Sequence, residues 1–182
     1  MNTNEKFKFG GINHLALVCK DMRTTVDFYS GLLGMPLTKT IELPNNLGQH
    51  FFFDCGGGDQ LAFFWFPNAP ESQPGVTHAA NILGEGPLTS AHASMNHVAF
   101  DVAPDMIDEY QKRLEAAGVK CTAVYNHDDT EAQASLEINE TTFVRSVYFK
   151  DPDGILLEFA AWTRELTEKD VNVEPMSVNA KT

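Results

Sequence analysis

The stretch Val147-Tyr148-Phe149-Lys150-Asp151-Pro152-Asp153-Gly154-Ile155-Leu156-Leu157-Glu158-Phe159-Ala160-Ala161-Trp162 decides how this chain is read. Two apolar runs flank an Asp-Pro-Asp-Gly turn, whose proline and glycine set the backbone angles that a reversal needs, so the stretch is expected to be a β-hairpin. Glu158 sits inside the second run, among hydrophobic residues on both faces. A carboxylate there has to be solvated, paired or bound to a metal, because burying it alone is too costly.

Two histidines are its candidate partners, and an internal repeat connects all three. Ile12-Asn13-His14-Leu15-Ala16-Leu17 recurs as Met95-Asn96-His97-Val98-Ala99-Phe100 at an offset of 83, while residues 51–66 align without a gap on 147–162 at an offset of 96. The 13-residue difference is a net insertion in the second copy, expected in the polar stretch 126–139. Two copies are too few for a solenoid and point to a duplicated supersecondary unit.

Each copy reads as strand, helix and three strands. In the first, strand 12–19 leads into a helix through Leu33, with Asp21 as N-cap and Gly34 as its stop; strands 35–43, 49–55 and 59–66 follow. In the second, strand 96–102 and helix 104–117, opened by Pro104 and closed by Gly118, precede strands 119–125, 142–150 and 155–162. The expected organisation is one domain over 1–163, with module one at 10–66, a linker at 67–94 and module two at 95–163. A polar tail fills 164–182, with one helical turn at 165–169. A linker of that length is either a lid or a surface wrap.

Composition narrows the functional classes. A chain of 182 residues with thirteen phenylalanines has room for one ordinary globular core. A formal charge of −12 argues against nucleic-acid binding, which needs clustered lysine and arginine. No apolar run is long enough to span a bilayer, and residues 1–9 lack the apolar centre of a signal peptide, so a cytoplasmic protein without a membrane partner is expected. Cys19, Cys55 and Cys121 show no paired spacing and read as free thiols.

A βαβββ unit used twice, with a histidine on each first strand and a glutamate on a last strand, resembles the vicinal oxygen chelate superfamily over residues 10–163. Its members include glyoxalase I, methylmalonyl-CoA epimerase, fosfomycin-resistance thiol transferases, bleomycin-resistance proteins and extradiol dioxygenases. The resemblance implies an α+β fold in which two tandem βαβββ modules form a curled-sheet metal cavity. It also implies frequent homodimers, sometimes with ligands from two chains; the aromatic strand 63–66 would suit a sheet-to-sheet contact or the internal core. Its ligand positions fall here on His14, Ala62, His97 and Glu158. Alanine cannot bind a metal, which leaves two histidines and one carboxylate, the composition of the non-haem Fe(II) facial triad.

Around Glu158 the chain is similar to the signature of the ring-cleavage dioxygenases. That likeness implies Tyr148 as a hydroxyl beside substrate or oxygen. The signature's histidine, expected seven to nine residues before the tyrosine, is missing from Asn139, Glu140 and Thr141. His127 is the candidate acid/base group in its stead, with Asp128 or Asp129 to orient it, or else a solvated loop histidine. Arg145 would pair with a substrate anion or with an acidic neighbour. His50, His78 and His92 fall outside the motif positions. The leading expectation is an Fe(II)-dependent extradiol-type dioxygenase for a small catecholic or related aromatic substrate. The alternatives are a glyoxalase-like lyase, isomerase or thiol transferase using Mn, Zn, Ni or Co, and a non-catalytic binding protein of the bleomycin-resistance kind.

Overall fold

The computed structural model describes residues 6, 7 and 9–177. The first module comprises β1 (His14–Cys19), helix α1 (Met22–Val26), β2 (Leu37–Glu42), β3 (Gln49–Gly56) and β4 (Asp59–Trp65). The second comprises β5 (Val98–Asp101), α2 (Ile107–Ala116), β6 (Tyr125–His127), β7 (Ala134–Ser135), β8 (Val144–Lys150) and β9 (Leu156–Trp162). The strands form two separate sheets, ordered β1-β4-β3-β2 and β5-β9-β8-β6-β7, each with two free edges. The fold is α+β with tandem modules, as expected from the duplication.

Strand pairing repeats across the modules at the offsets read from the sequence. Parallel β1 and β4 place Ala16 opposite Ala62, and parallel β5 and β9 place Ala99 opposite Glu158. Antiparallel β3 and β4 set Phe52 against Ala62, and β8 and β9 set Tyr148 against Glu158. Alternation along the strands then gives each sheet two faces. One face of each joins a continuous core, which includes Tyr29, Phe53, Leu61 and Phe63 from the first module and Ile107, Val147, Phe149 and Leu157 from the second. The other face carries His14 in the first module, and Glu158 and Tyr148 in the second.

Three local expectations need correction. The first helix is α-helical only to Val26; Asp27–Leu32 widens into π turns, with Leu33 N–H donating to the Phe28 carbonyl. The wider turn buries Tyr29 and directs its hydroxyl 3.1 Å to Asp151 in the hairpin turn of the other module. The strand expected at 119–125 is irregular as far as Val124, because Thr122 occupies both backbone groups of Tyr148: Thr122 N–H donates to the Tyr148 carbonyl, and Tyr148 N–H to Thr122 Oγ1. The turn expected at 165–169 forms at Glu168–Asp170 instead, where Thr167 caps it and Asp170 closes the capping box.

Residues 67–94 form a cover. Ala79 and Ile82 pack on Tyr148 and Leu156, joined by the half-buried Leu83 and Leu88. Asn96 Nδ2 ties this cover to the start of β5 by donating to the Leu88 carbonyl at 2.6 Å and to Ser90 Oγ at 3.1 Å. Gly154, at φ +89°, lets the turn lie under the His78 ring; a Cβ there would come 3.1 Å from His78 Nε2.

Candidate metal centre

Glu158 is 5% exposed, and its Oε2 lies 3.1 Å from His97 Nε2. His97 is held by Asn96, whose side-chain oxygen is 2.9 Å from Nδ1. A carboxamide oxygen only accepts, so Nδ1 carries the hydrogen and Nε2 is left to the carboxylate: the protonated ring donates from it to Glu158, and the neutral ring would offer its lone pair to a cation held between the two. The same device recurs at His14, whose Nδ1 lies 2.8 Å from Asn13 Oδ1. The repeated Asn-His pair therefore fixes both imidazoles in a ligand-competent tautomer.

Tyr148 neighbours Glu158 across the β8–β9 ladder, and its hydroxyl lies 3.0 Å from His127 Nε2. The structure thus brings together His97, Glu158, Tyr148 and His127. Burial works to raise the Glu158 carboxyl, but the His97 hydrogen bond and the nearby Ser146 hydroxyl outweigh it, and the group stays below its usual range. Burial, and then the negative charge of Glu158, push the Tyr148 phenol well above its ordinary value, so it keeps its proton.

His14 stands apart. It is exposed on β1 with its ring 5.6 Å from that of Phe52, and among the described residues no group of three or more His, Cys, Asp or Glu is placed to hold a metal ion. Ala62, fully buried, offers no ligand, as its side chain requires.

The other candidates are placed as follows. Neither Asp128 nor Asp129 orients His127: Asp128 accepts from Thr130, Ser135 and Asn139 and so organises the inserted loop, while Asp129 pairs with Arg164. The Thr130 hydroxyl, foremost among these donors, holds the Asp128 carboxyl down to about 2. Arg145 takes the acidic neighbour, bonding Asp108, the Pro104 carbonyl and Asn126 on the helix side of its sheet. The three cysteines are free thiols.

One further residue, given no role by sequence reasoning, belongs to this face. Ser146 is fully buried, and its Oγ is the single buried side-chain N or O without a hydrogen-bond partner among the described residues. It makes no bond of good geometry, yet lies close enough to Glu158 and Tyr148 to bias both protonations. Its position two residues before Tyr148 was the available signal, since period-two alternation puts both on one face.

One cavity borders the centre at His127, and another lies on the far face of the sheet. A polar one of about 420 Å³ is lined by His127, Asp128, Asp129, Thr130, Gln133, Phe143 and Asn172. An apolar cleft of about 450 Å³ between the modules includes Met35, Phe100, Tyr110 and Phe159 in its lining. Phe159 points to the opposite face of β9 from Glu158, so the larger cleft is not where this chemistry lies. No helix among the described residues is long and apolar enough to cross a membrane.

Known proteins extend this picture. The chain is 26% identical over 149 residues to the metallothiol transferase FosB of Shouchella clausii, covering 81% of this chain and 77% of that protein. It is 24% identical over 147 residues to YaeR of Escherichia coli, covering 81% and 92%. Among solved structures, SMU.1112c superposes with a TM-score of 0.58 at 21% identity, covering 84% of this chain and 99% of that one. A FosX variant of Listeria monocytogenes, complexed with Mn(II) and 1S,2S-dihydroxypropylphosphonic acid, gives 0.57 at 20% identity, covering 86% and 95%. The family model of the Glyoxalase/Bleomycin resistance protein/Dioxygenase superfamily matches residues 11–159, and the chain belongs to that superfamily.

Proposed function

We propose that this protein is a divalent-metal-dependent enzyme of the glyoxalase and thiol-transferase branch, acting on a small molecule at a site assembled between two copies of the chain. The observation that carries the reading is the buried Glu158 carboxylate, paired among the described residues only with the His97 imidazole, whose Nδ1 hydrogen is already engaged by Asn96. That donor set fits a cation, and His14, in the same tautomer but apart from the pair, is the ligand that a second copy would bring. A bound divalent ion would polarise a substrate oxygen or lower the pKa of a group attached to it.

The chain's own groups then move and hold protons. Tyr148 keeps its phenolic hydrogen and can donate it toward a developing negative charge on the substrate. His127 Nε2 meets that hydroxyl on one side, while the residue borders the polar cavity on the other, so a proton given up by Tyr148 has a route to solvent. The FosB and FosX relatives favour this branch over the ring-cleavage reaction first expected, and leave Mn, Zn, Ni or Co as candidates beside Fe(II). Ring cleavage remains the second reading because of one observation: His127 reaches Tyr148 from another strand and supplies the imidazole missing at 139–141.

Mixed dimers test the assembly. His14→Ala and Glu158→Ala chains, differently tagged and co-purified, should each fail to bind Mn(II) as homodimers and bind one ion per mixed dimer. No binding by the mixed dimer would return the site to one chain. For the chemistry, loaded protein should be offered fosfomycin with a thiol, the methylglyoxal–glutathione hemithioacetal, and catechols in air under Fe(II). Oxygen uptake with catechols alone would promote the second reading.

A further inference from the structure

His50 lies outside every motif position, yet its surroundings are those of a positioned acid–base group. It stands on β3 opposite Phe64, on the same face of the first sheet as His14, Phe52 and Ala62. Its ring stacks on Phe64, with centroids 3.6 Å apart and 6° between the planes, and meets Phe52 edge-on at 4.4 Å. The same Phe52 ring also meets that of His14, edge-on with centroids 5.6 Å apart. His50 Nδ1 is 3.1 Å from the Phe63 carbonyl oxygen. A carbonyl only accepts, so Nδ1 carries the hydrogen and the lone pair of the neutral ring is on Nε2. No described residue offers Nε2 a partner. Nor is Nε2 sealed from solvent, because Ser146 Oγ is the only fully buried side-chain polar atom left unpartnered among the described residues.

The internal duplication shows what this position borders. At the offset of 96, His50 corresponds to Ser146, and its partner Phe64 to Ala160, the partner of Ser146. Ser146 borders Glu158 and Tyr148. His50 accordingly stands beside Ala62 as Ser146 stands beside Glu158. Ala62 leaves that wall of the site without a carboxylate, and on the same face of the sheet His50 Nε2 offers a free lone pair.

We infer that His50 is the proton acceptor of this active site. One proton passes from a polarised C–H, S–H or O–H of the substrate to Nε2, and the bonding electron pair stays on the substrate atom. The imidazolium keeps its Nδ1–H bond to the Phe63 carbonyl, so its positive charge forms against a fixed dipole. Return of the proton to another substrate atom, or to water, restores the neutral ring. The inference rests on the two-copy metal site proposed above and assigns the base within it.

Two measurements on the full-length protein test it. In the first, Mn(II) is titrated while the ring Cε1–H signals of His14, His50 and His97 are followed by NMR; all three should broaden together. In the second, Zn(II)-loaded protein is given hydroxyacetone in D2O, a hydroxyketone that chelates metal and loses carbon-bound protons to a base. Wash-out should be accelerated by the protein and should fall at least 30-fold in both His50→Gln and His50→Phe, with Zn(II) stoichiometry retained and the exposed-surface variant Lys112→Gln on α2 unchanged. A sharp His50 signal while His14 and His97 broaden would overturn the assignment. So would wild-type wash-out rates in both His50 variants, or no wash-out by metal-loaded wild type. If Mn(II) broadens none of the three histidines, the two-copy metal site itself fails, and the base assignment with it.

Discussion

At equivalent places in the two sheets, Ala62, Phe52 and His50 of the first module stand where Glu158, Tyr148 and Ser146 stand in the second. Their turns differ as well: a run of three glycines in one, and Asp151-Pro152-Asp153-Gly154 in the other. Both halves keep the Asn-His pair on the first strand and the same strand register. What duplication preserved is the scaffold and the imidazole; what diverged is everything that carries charge or a hydroxyl beside it. The first module offers an aromatic wall with one neutral base, and the second a carboxylate with a phenol and a second imidazole. A duplicated unit can divide labour in this way because strand pairing depends on the backbone, while the side chains on the face turned away from the shared core are free to change.

Removing the carboxylate should break the comparison most severely. Glu158→Ala is expected to lower Mn(II) affinity by more than the roughly 100-fold that losing a hydrogen-bond partner of a ligand can cost, while the circular dichroism spectrum persists. Retention of stoichiometric metal would remove Glu158 from the coordination shell. Restoring the symmetry is the converse experiment. Ala62→Glu puts a carboxylate at a fully buried position beneath the aromatic wall, and should destabilise the metal-free protein by about 3 kcal/mol, a loss offset when a divalent ion is added. Equal denaturant midpoints for Ala62→Glu and wild type without metal would show that the wall opens to water at that point.

The turn supplies an effect dependent on pH. Burial raises the Asp151 carboxyl from 3.8 to about 6, against the hydrogen bonds it accepts from Ile155, Asp153 and Tyr29. Its folded value lies above the unfolded one, so its contribution is fully present below pH 3.8 and is lost as pH rises through about 6. By linkage the loss amounts to at most about 3 kcal/mol. Asp151→Asn should flatten that part of the stability curve between pH 4 and 7; identical curves for the two proteins would show that the carboxylate is solvated. The smallest effect is expected at Ser146, where alanine removes an unpartnered buried hydroxyl and should stabilise the metal-free protein by about 1 kcal/mol. A loss of that size would mean that the hydroxyl is bonded after all.

Much of this was legible from residue order alone. Period-two patterning, the Asp-Pro-Asp-Gly turn and the repeat placed His14, His97 and Glu158 on matching strands, and the pairing register agrees with both offsets. The likeness around Glu158 pointed to Tyr148, and His127 came from its place at a strand end; the structure sets them 3.0 Å apart. The role of Thr122 escaped, because a side chain standing in for a backbone ladder leaves no periodic trace. Asp128 was misread for a related reason: three of its partners lie within the inserted loop itself, and loop closure follows from conformation, not spacing. The tautomer of His50 depends on a carbonyl on the neighbouring strand, and no sequence pattern encodes that contact. Nor does position along one chain reveal that His14 stands away from the pair it matches.

The segment 67–94 sits against Tyr148 and Leu156 through Ala79 and Ile82, and it belongs to neither repeat. The walls of the centre are tied to ladder register, so a change there disturbs strand pairing as well as chemistry. This segment carries no sheet, and loops of that kind tolerate insertion and substitution far better than the strands they connect. Substrate range in descendants of this chain can therefore drift by rewriting the cover while the proton-handling residues stay untouched. The region with the least regular structure is thus the most evolvable part of the candidate site.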